Sequence, residues 1–321
     1  MYHKNESLPL IRQGWPGNTT NNGVFMNRVY THSGMKNLLK WRFTPNPYRR
    51  EKNKENWDPA VVEVTHIDET ADNLIWLGHS SFYLRLGGKK IMFDPVFGDI
   101  PFRKRHSKDV AKPSVFKDLD YILISHDHYD HLDKNSVKEL LKNSPHAKVL
   151  CGLGVDKLIN KWVNKKISIP MGWYQKYSDG NFEVTFLPAQ HWSKRSVNDG
   201  GKRLWGSFAV KGGDKLIYYS GDTGYDKHFK EAGHIFGYFD YALMAIGAYM
   251  PRFMMERNHI SPYEAIEAVK ELRAEVAIPM HYGTFDLSDE PMGNPPEVFA
   301  EEAQKEGLSI RIPMLGEKVM L

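Results

Sequence analysis

The feature that most constrains this 321-residue chain is the run Ser125-His126-Asp127-His128-Tyr129-Asp130-His131-Leu132-Asp133, set directly after Tyr121-Ile122-Leu123-Ile124. The continuous apolar tetrapeptide reads as a strand buried on both faces. Alternation along an extended chain puts His126 and His128 on one side of it. A turn after Tyr129 brings Asp130 and His131 to a second point nearby. Imidazoles and carboxylates crowded at a strand end suit two borderline-soft cations held by nitrogen and oxygen. Two histidines one residue apart are common, whereas the full His-x-His-x-Asp-His spacing behind a buried strand is specific.

Two cations need more donors than one loop supplies, so other ligands must come from elsewhere. Three candidates each follow an apolar run: His191 after Val184–Gln190, Asp222 after Leu216–Ser220 within Gly221-Asp222-Thr223-Gly224, and His281 after Ala277–Met280. Taken singly, Asp222 reads as a turn aspartate and the histidines as core or surface residues. Together they repeat one design, a strand end followed by a ligand. Further strands are expected at Leu74–His79, Ser81–Leu86, Lys90–Asp94, Lys148–Cys151, Phe182–Leu187, Leu204–Val210, Tyr241–Ile246, Glu275–Met280 and Ile310–Met314. Gly87-Gly88 and Gly212-Gly213-Asp214 read as hairpin turns. Helices are expected over Asn135–Leu141, from the capping box Ser261-Pro262-Tyr263-Glu264 to about Arg273, and over Pro296–Lys305. Strands with interspersed helices give an α/β fold of two mixed β-sheets covered by helices on their outer faces.

The order His-x-His-x-Asp-His, His, Gly-Asp-Thr-Gly, His resembles the metallo-β-lactamase superfamily. The resemblance implies an αββα sandwich with the site at one edge of the two sheets. It also implies that His126, His128 and His191 hold one metal, that Asp130, His131 and His281 hold the other, and that Asp222 bridges both. Trp76-Leu77-Gly78-His79, Asp94-Pro95, Gln190-His191-Trp192-Ser193-Lys194-Arg195, Leu204-Trp205-Gly206-Ser207, Gly247-Ala248-Tyr249, Pro251-Arg252 and His281-Tyr282-Gly283-Thr284-Phe285 are similar to the family of N-acyl-phosphatidylethanolamine-hydrolysing phospholipases D. Met250 stands where that family has an acid, and Tyr282 where it has tryptophan.

What this implies is a zinc-dependent phosphoric diester hydrolase that cleaves N-acylphosphatidylethanolamine-like glycerophospholipids by metal-activated hydroxide. Two Zn²⁺ per chain are expected, with Mn²⁺ or Fe²⁺ as alternatives that the same donors accept. Asp130, Asp222 and His259 are the candidate catalytic residues, and Tyr249, Trp192 and Tyr282 the candidate substrate contacts. Asp94 reads equally as an acceptor for a ligand histidine N–H and as a turn residue before Pro95. His79 reads either as a neighbour of the metals or as a residue that satisfies the strand crossing. The alternative function is a lactonase or small phosphorylated-metabolite hydrolase of the same superfamily. A nucleic-acid enzyme and a non-enzymatic metal scaffold rank below both.

Residues 1–70 read as an extension packed on a hydrolase domain of residues 71–321. Residues 1–56 hold ten Lys/Arg against three acids, +7 in a chain of net charge +4. Such an arm either faces phosphate groups or lies solvated over the core. Within it, Met35–Trp41 hints at a short helix. The single cysteine, Cys151, sits among apolar neighbours and excludes a disulfide scaffold. No apolar run is long enough to span a bilayer, and the N-terminal residues carry no signal-peptide core. The expectation is a cytoplasmic protein with at most a peripheral membrane contact, a phospholipid or other phosphodiester substrate, and no nucleic-acid partner.

Overall fold

A computed structural model describes residues 1–28 and 35–321. The N-terminal segment contributes a small sheet of β1 (Tyr2–His3), β2 (Asn18–Asn21) and β3 (Val24–Phe25), then α1 (Met35–Phe43) and α2 (Arg49–Lys52). The side chain of Met35 lies outside the described residues. A hairpin ladder follows: β4 (Asn73–Gly78), β5 (Ser81–Leu86) and β6 (Lys89–Phe93). Gly87 and Gly88, at φ +57° and +79°, make its turn, which suits a right-twisted hairpin. A Cβ on Gly87 would lie 2.8 Å from Gly213 N. The hairpin turns of the two main sheets therefore abut, and only glycine lets them.

The chain continues through β7 (Tyr121–Ile124), α3 (Lys134–Asn143), β8 (Lys148–Gly152), α4 (Val155–Val163) and β9 (Ser168–Met171). Asp133, the last acid of the histidine-rich run, caps α3 by accepting the Ser136 N–H at 2.7 Å. Next come β10 (Gln175–Asp179), β11 (Phe182–Leu187), β12 (Ser207–Gly212), β13 (Lys215–Tyr219), α5 (His228–Phe236) and β14 (Phe239–Ala245). The chain ends with α6 (Arg252–Met255), α7 (Pro262–Leu272), β15 (Ala274–Met280), α8 (Asn294–Lys305) and β16 (Lys318–Met320). The capping box of α7 is formed in full by Ser261 and Glu264.

Among the described residues, one main sheet has the order β16-β4-β5-β6-β7-β8-β9 and the other β10-β11-β12-β13-β14-β15. Each is antiparallel at one end and parallel at the other. They face each other across a common core, where Phe93 stacks on Tyr219 at 4.6 Å and Tyr121 on Phe182 at 4.8 Å. Full burial of such side chains contributes roughly 1.5–3 kcal/mol each. Helix α4 packs on β8 and β9 with α3 beside it, and α7 packs on β14 and β15 with α5 and α8 beside it, giving the four-layered sandwich. Because strand direction alternates in the antiparallel halves, β4, β6 and β7 run one way in their sheet, and β11, β13, β14 and β15 do so in theirs. Their C-terminal ends collect at one edge, the usual place for a site in sheets with parallel strands.

Two expected strands shift. Residues 204–206 pair across to the first sheet instead, with Leu204 N–H on Leu153 O and Gly206 N–H on Ser125 O; β12 starts only at Ser207. The closing strand lies at Lys318–Met320 rather than Ile310–Met314, where only Ile310 bridges, to Ala277. Pro313 has no N–H to continue a ladder there.

Candidate metal centre

Every candidate ligand follows one of the collected strand ends. His126, His128, Asp130 and His131 follow β7, His191 follows β11, Asp222 follows β13 and His281 follows β15. His126 Nε2 and His191 Nε2 stand 2.9 and 3.2 Å from His128 Nδ1. Asp222 Oδ2 lies 3.9 Å from His126 Nε2, 3.7 Å from His191 Nε2 and 3.0 Å from His281 Nε2, while its Oδ1 lies 3.1 Å from His131 Nε2. Asp130 Oδ2 is 3.7 Å from His281 Nε2 and 3.9 Å from His131 Nε2. Donors from His126, His128, His191 and Asp222 lie within 4.8 Å of one another, and so do those from His79, Asp130, His131 and His281. Asp222 therefore sits between two clusters.

The chemistry of this donor set fits divalent cations. His131 Nε2, His281 Nε2 and Asp222 Oδ1 are buried without a well-directed hydrogen bond, their close contacts being the ion pairs at 3.0–3.1 Å just described, and poorly satisfied buried groups of this kind cost stability unless something else compensates them. Burial pushes the imidazoles of His126 and His191 well below their ordinary range, with neighbouring imidazoles adding to it, so both present neutral lone pairs. Burial alone would raise the Asp222 carboxyl, but His131 and His281 outweigh it and hold the group well below the usual range. Burial would likewise lower His281, yet Asp222 and Asp130 raise it to about 9. Without cations, then, the carboxylates are balanced by protons on imidazole, which metal uptake displaces.

The shell behind the ligands is specific. Asp94, fully buried, accepts from His131 Nδ1 at 2.7 Å, Ser125 N at 2.7 Å, Ser125 Oγ at 2.5 Å and Tyr219 Oη at 2.7 Å. His191 Nδ1 pairs with Asn258 O at 3.0 Å, which fixes its tautomer with Nε2 free for a cation. His79 fills both of its expected places: its ring reaches Asp130 at 3.0 Å, and its carbonyl accepts from Trp76 Nε1 and His281 N. Asp127 turns away and pairs with Arg203. Arg195 ties the ligand loop from beneath, donating to Asp127 O at 2.8 Å and Leu132 O at 2.6 Å. The thiol of Cys151, pushed well up by burial, lies on β8 and offers no nucleophile.

Sequence reasoning missed His228 and Glu290. His228 Nε2 meets Thr223 Oγ1 at 3.2 Å, and the same oxygen accepts from Gln190 N. The loops that carry Asp222 and His191 are thus tied together. Burial holds this imidazole down to about 3. The unfolded chain takes up its proton first as pH falls below about 6.5, so stability is lost between there and about 3. For His228 the loss is about 2 kcal/mol from pH 6.5 to 5. Urea titrations at both values are expected to show a shallower fall for His228→Gln, and an unchanged fall would contradict this burial.

The remaining candidates divide. His259 Nδ1 lies 3.9 Å from Asp222 Oδ2, with its side chain 15% exposed. Trp192 is 42% exposed and stands edge-on to His128 at 4.6 Å. Tyr249 is buried and donates to Asn294 Oδ1 at 2.5 Å. Tyr282 is buried between Trp76 and Trp57, so it packs in the wall behind the site instead of lining an open entrance. The cavity beside His281, lined by Gly247, Ala248, Tyr282, Phe285 and Glu290 among others, measures only ≈ 20 Å³. No helix among the described residues is long and apolar enough to cross a membrane.

A family model described as a beta-lactamase superfamily domain matches residues 89–282. The chain is 37% identical over 227 residues to N-acyl-phosphatidylethanolamine-hydrolyzing phospholipase D 1 of Caenorhabditis elegans, covering 66% of this chain and 64% of that protein. The match thus spans less than two thirds of that relative. It is 33% identical over 254 residues to a UPF0173 metal-dependent hydrolase of Sulfurisphaera tokodaii, covering 77% of this chain and 99% of that one. In fold it is similar to Igni18, a metallo hydrolase of Ignicoccus hospitalis, with a TM-score of 0.61 at 20% identity over 78% of this chain and 99% of the other. With the ligand edge, the sandwich and these likenesses in agreement, the chain belongs to the metallo-β-lactamase superfamily and is one of its metal-dependent hydrolases.

Proposed function

We propose that this hydrolase is a phosphodiesterase of phospholipase D type, acting on N-acylphosphatidylethanolamine-like glycerophospholipids with two zinc ions. The observation that carries the reading is the position of Asp222 between the two clusters, with Oδ1 at 3.1 Å from His131 and Oδ2 at 3.0 Å from His281 on one side and 3.7–3.9 Å from His191 and His126 on the other. A pair of dications in such a cradle supplies Lewis acidity to a phosphoryl oxygen and a water acidic enough to attack near neutral pH. In this reading His126, His128 and His191 would hold one cation and Asp130, His131 and His281 the other, and Asp222 would serve both and help orient the attacking water. His259, kept neutral because burial holds it down to about 4, offers a hydrogen bond to the substrate phosphate or the departing oxygen. Trp192, exposed beside His128, flanks the approach, and buried Tyr249 would meet a substrate only by leaving Asn294. The likeness to the nematode phospholipase D supports the lipid class, and the basic N-terminal segment supports a peripheral contact with phospholipid.

The likeness to the archaeal metal-dependent hydrolase, which spans nearly that whole protein, supports a second reading, hydrolysis of a lactone or a small phosphorylated metabolite. One experiment separates the two. Zinc-loaded protein is incubated with vesicles containing N-acylphosphatidylethanolamine, and in parallel with a phosphorylated sugar lactone. Phosphatidic acid and N-acylethanolamine are the expected products, with about two zinc ions per chain by elemental analysis. Turnover of the lactone without lipid products would replace the first reading by the second.

A further inference from the structure

We propose that the N-terminal extension is a brace for the metal centre, with Asn27 and Trp57 as positioning residues on opposite sides of it. The inference rests on the two-cation reading of the site.

On one side, Asn27 Nδ2 donates to the carbonyl of His191 itself at 2.5 Å. The neighbouring stretch is fixed to the domain by Phe25 N–H on Gly201 O at 2.7 Å and by Arg28 on Glu231 at 2.5 Å. On the other side, Trp57 Nε1 donates to Gly283 O at 2.7 Å, two residues beyond His281. Gly283 sits at φ +67°, and a Cβ there would come within 2.6 Å of the Trp57 ring. The indole occupies a recess that only glycine leaves open.

The loop of residues 282–293, between β15 and α8, is anchored inward by His79 N–H on Thr284 Oγ1 and Asp289 N–H on Met250 O, and outward by the same extension. Lys52 Nζ reaches Asp286 and Ser288 O, each at 2.5 Å. Trp41 Nε1 donates to Asp289 Oδ1 at 3.0 Å, and Asn46 Nδ2 to Asp289 O at 2.9 Å. The Glu55 carboxylate accepts from Met292 N at 2.8 Å and Gly293 N at 2.7 Å. Inward, the loop presents Glu290, a buried carboxylate that accepts from Tyr249 N and Met250 N. The chain of contacts runs from extension to loop to the wall of the site. A solvated arm would leave these backbone groups to water. Here they fix the backbone from which His191 and His281 project, and ligand orientation of this kind governs metal affinity.

The test is metal retention, which does not depend on any substrate. Zinc content is measured first on the unaltered protein, then by chelator competition on Asn27→Ala, Trp57→Ala and Trp57→Phe. Each alanine variant is expected to weaken one of the two cations by about 10–100-fold while keeping the other. Trp57→Phe, which keeps the ring without the N–H, is expected to fall between. The visible spectrum of the cobalt-substituted protein should change in both alanine variants. If the variants lose thermal stability but bind both cations like the unaltered chain, the extension is a structural strap and the brace is refuted. Should Trp57→Ala not fold, Asn27→Ala and Trp57→Phe decide the matter. Fewer than two cations on the unaltered protein would defeat the two-cation reading, and the variants then judge the brace on the cation that remains.

Discussion

Asp222→Asn is expected to lower hydrolysis on the order of 10³-fold or more and to leave a chain whose far-ultraviolet circular dichroism is unchanged. The side chain is 3% exposed and stands where the two donor clusters meet. Asparagine has the same size, so packing survives. What it loses is the negative charge that both clusters share: one amide oxygen cannot face His131 on one side and His126 and His191 on the other as two carboxylate oxygens do. Metal content should drop from about two ions per chain towards one. The readouts are turnover under saturating zinc, elemental analysis and the dichroism spectrum. Activity within a few-fold of the unaltered protein would end the bridging assignment; Asp94, the other carboxylate near histidines of both clusters, is engaged behind them with His131 Nδ1.

The strands that carry the candidate ligands are more legible in the sequence than several others, for a physical reason. Each candidate ligand follows a strand whose last residues are buried, and such strands announce themselves as apolar runs. β7 appears with its expected bounds, and β11 likewise. In the two main sheets the strands that gave no signal, β9 and β10, are both edges. β9 contains Pro170, and β10 reads Gln-Lys-Tyr-Ser-Asp; an edge strand needs neither an apolar face on both sides nor every N–H. Helix α5 was hidden by weak helix formers, including Gly233, where a Cβ would lie 2.0 Å from Glu271 O on α7. There the close approach of two helices, not propensity, chooses the residue. The same limit applies to Tyr282. An aromatic beside a ligand histidine looks like a substrate contact until Trp57, far away in the chain, is found packed on it. The sequence offers two roles each for His79 and Asp94, and the structure gives the first both and the second an acceptor's role.

Asp94→Asn should separate support of the ligands from ligation itself. Asp94 takes four donors with two oxygens in complete burial: the Ser125 amide and hydroxyl, the Tyr219 hydroxyl and His131 Nδ1. Asparagine tolerates the positive φ of +35° at this position, so backbone strain does not enter. It does bring an N–H₂ group into a ring of donors. At least one of the four then meets a donor instead of an acceptor and is left buried without a partner. The expected loss is about 3 kcal/mol of stability even in the absence of metal, measured by denaturant unfolding in a chelator. With its Nδ1 no longer held, the His131 ring can rotate, and the cation it would share with Asp130 and His281 should weaken by about 10–100-fold. Asp222→Asn differs in kind, because it removes the charge that both clusters share and, in the absence of metal, the counter-charge of buried His131 and His281. Both variants therefore lose stability and a cation, and what separates them is which atoms lose their hold: His131 Nδ1 behind the donors with Asp94, and the donor atoms themselves with Asp222. If Asp94→Asn kept full stability and both cations, the carboxylate would be a turn residue ahead of Pro95 and the orientation of His131 would need another source.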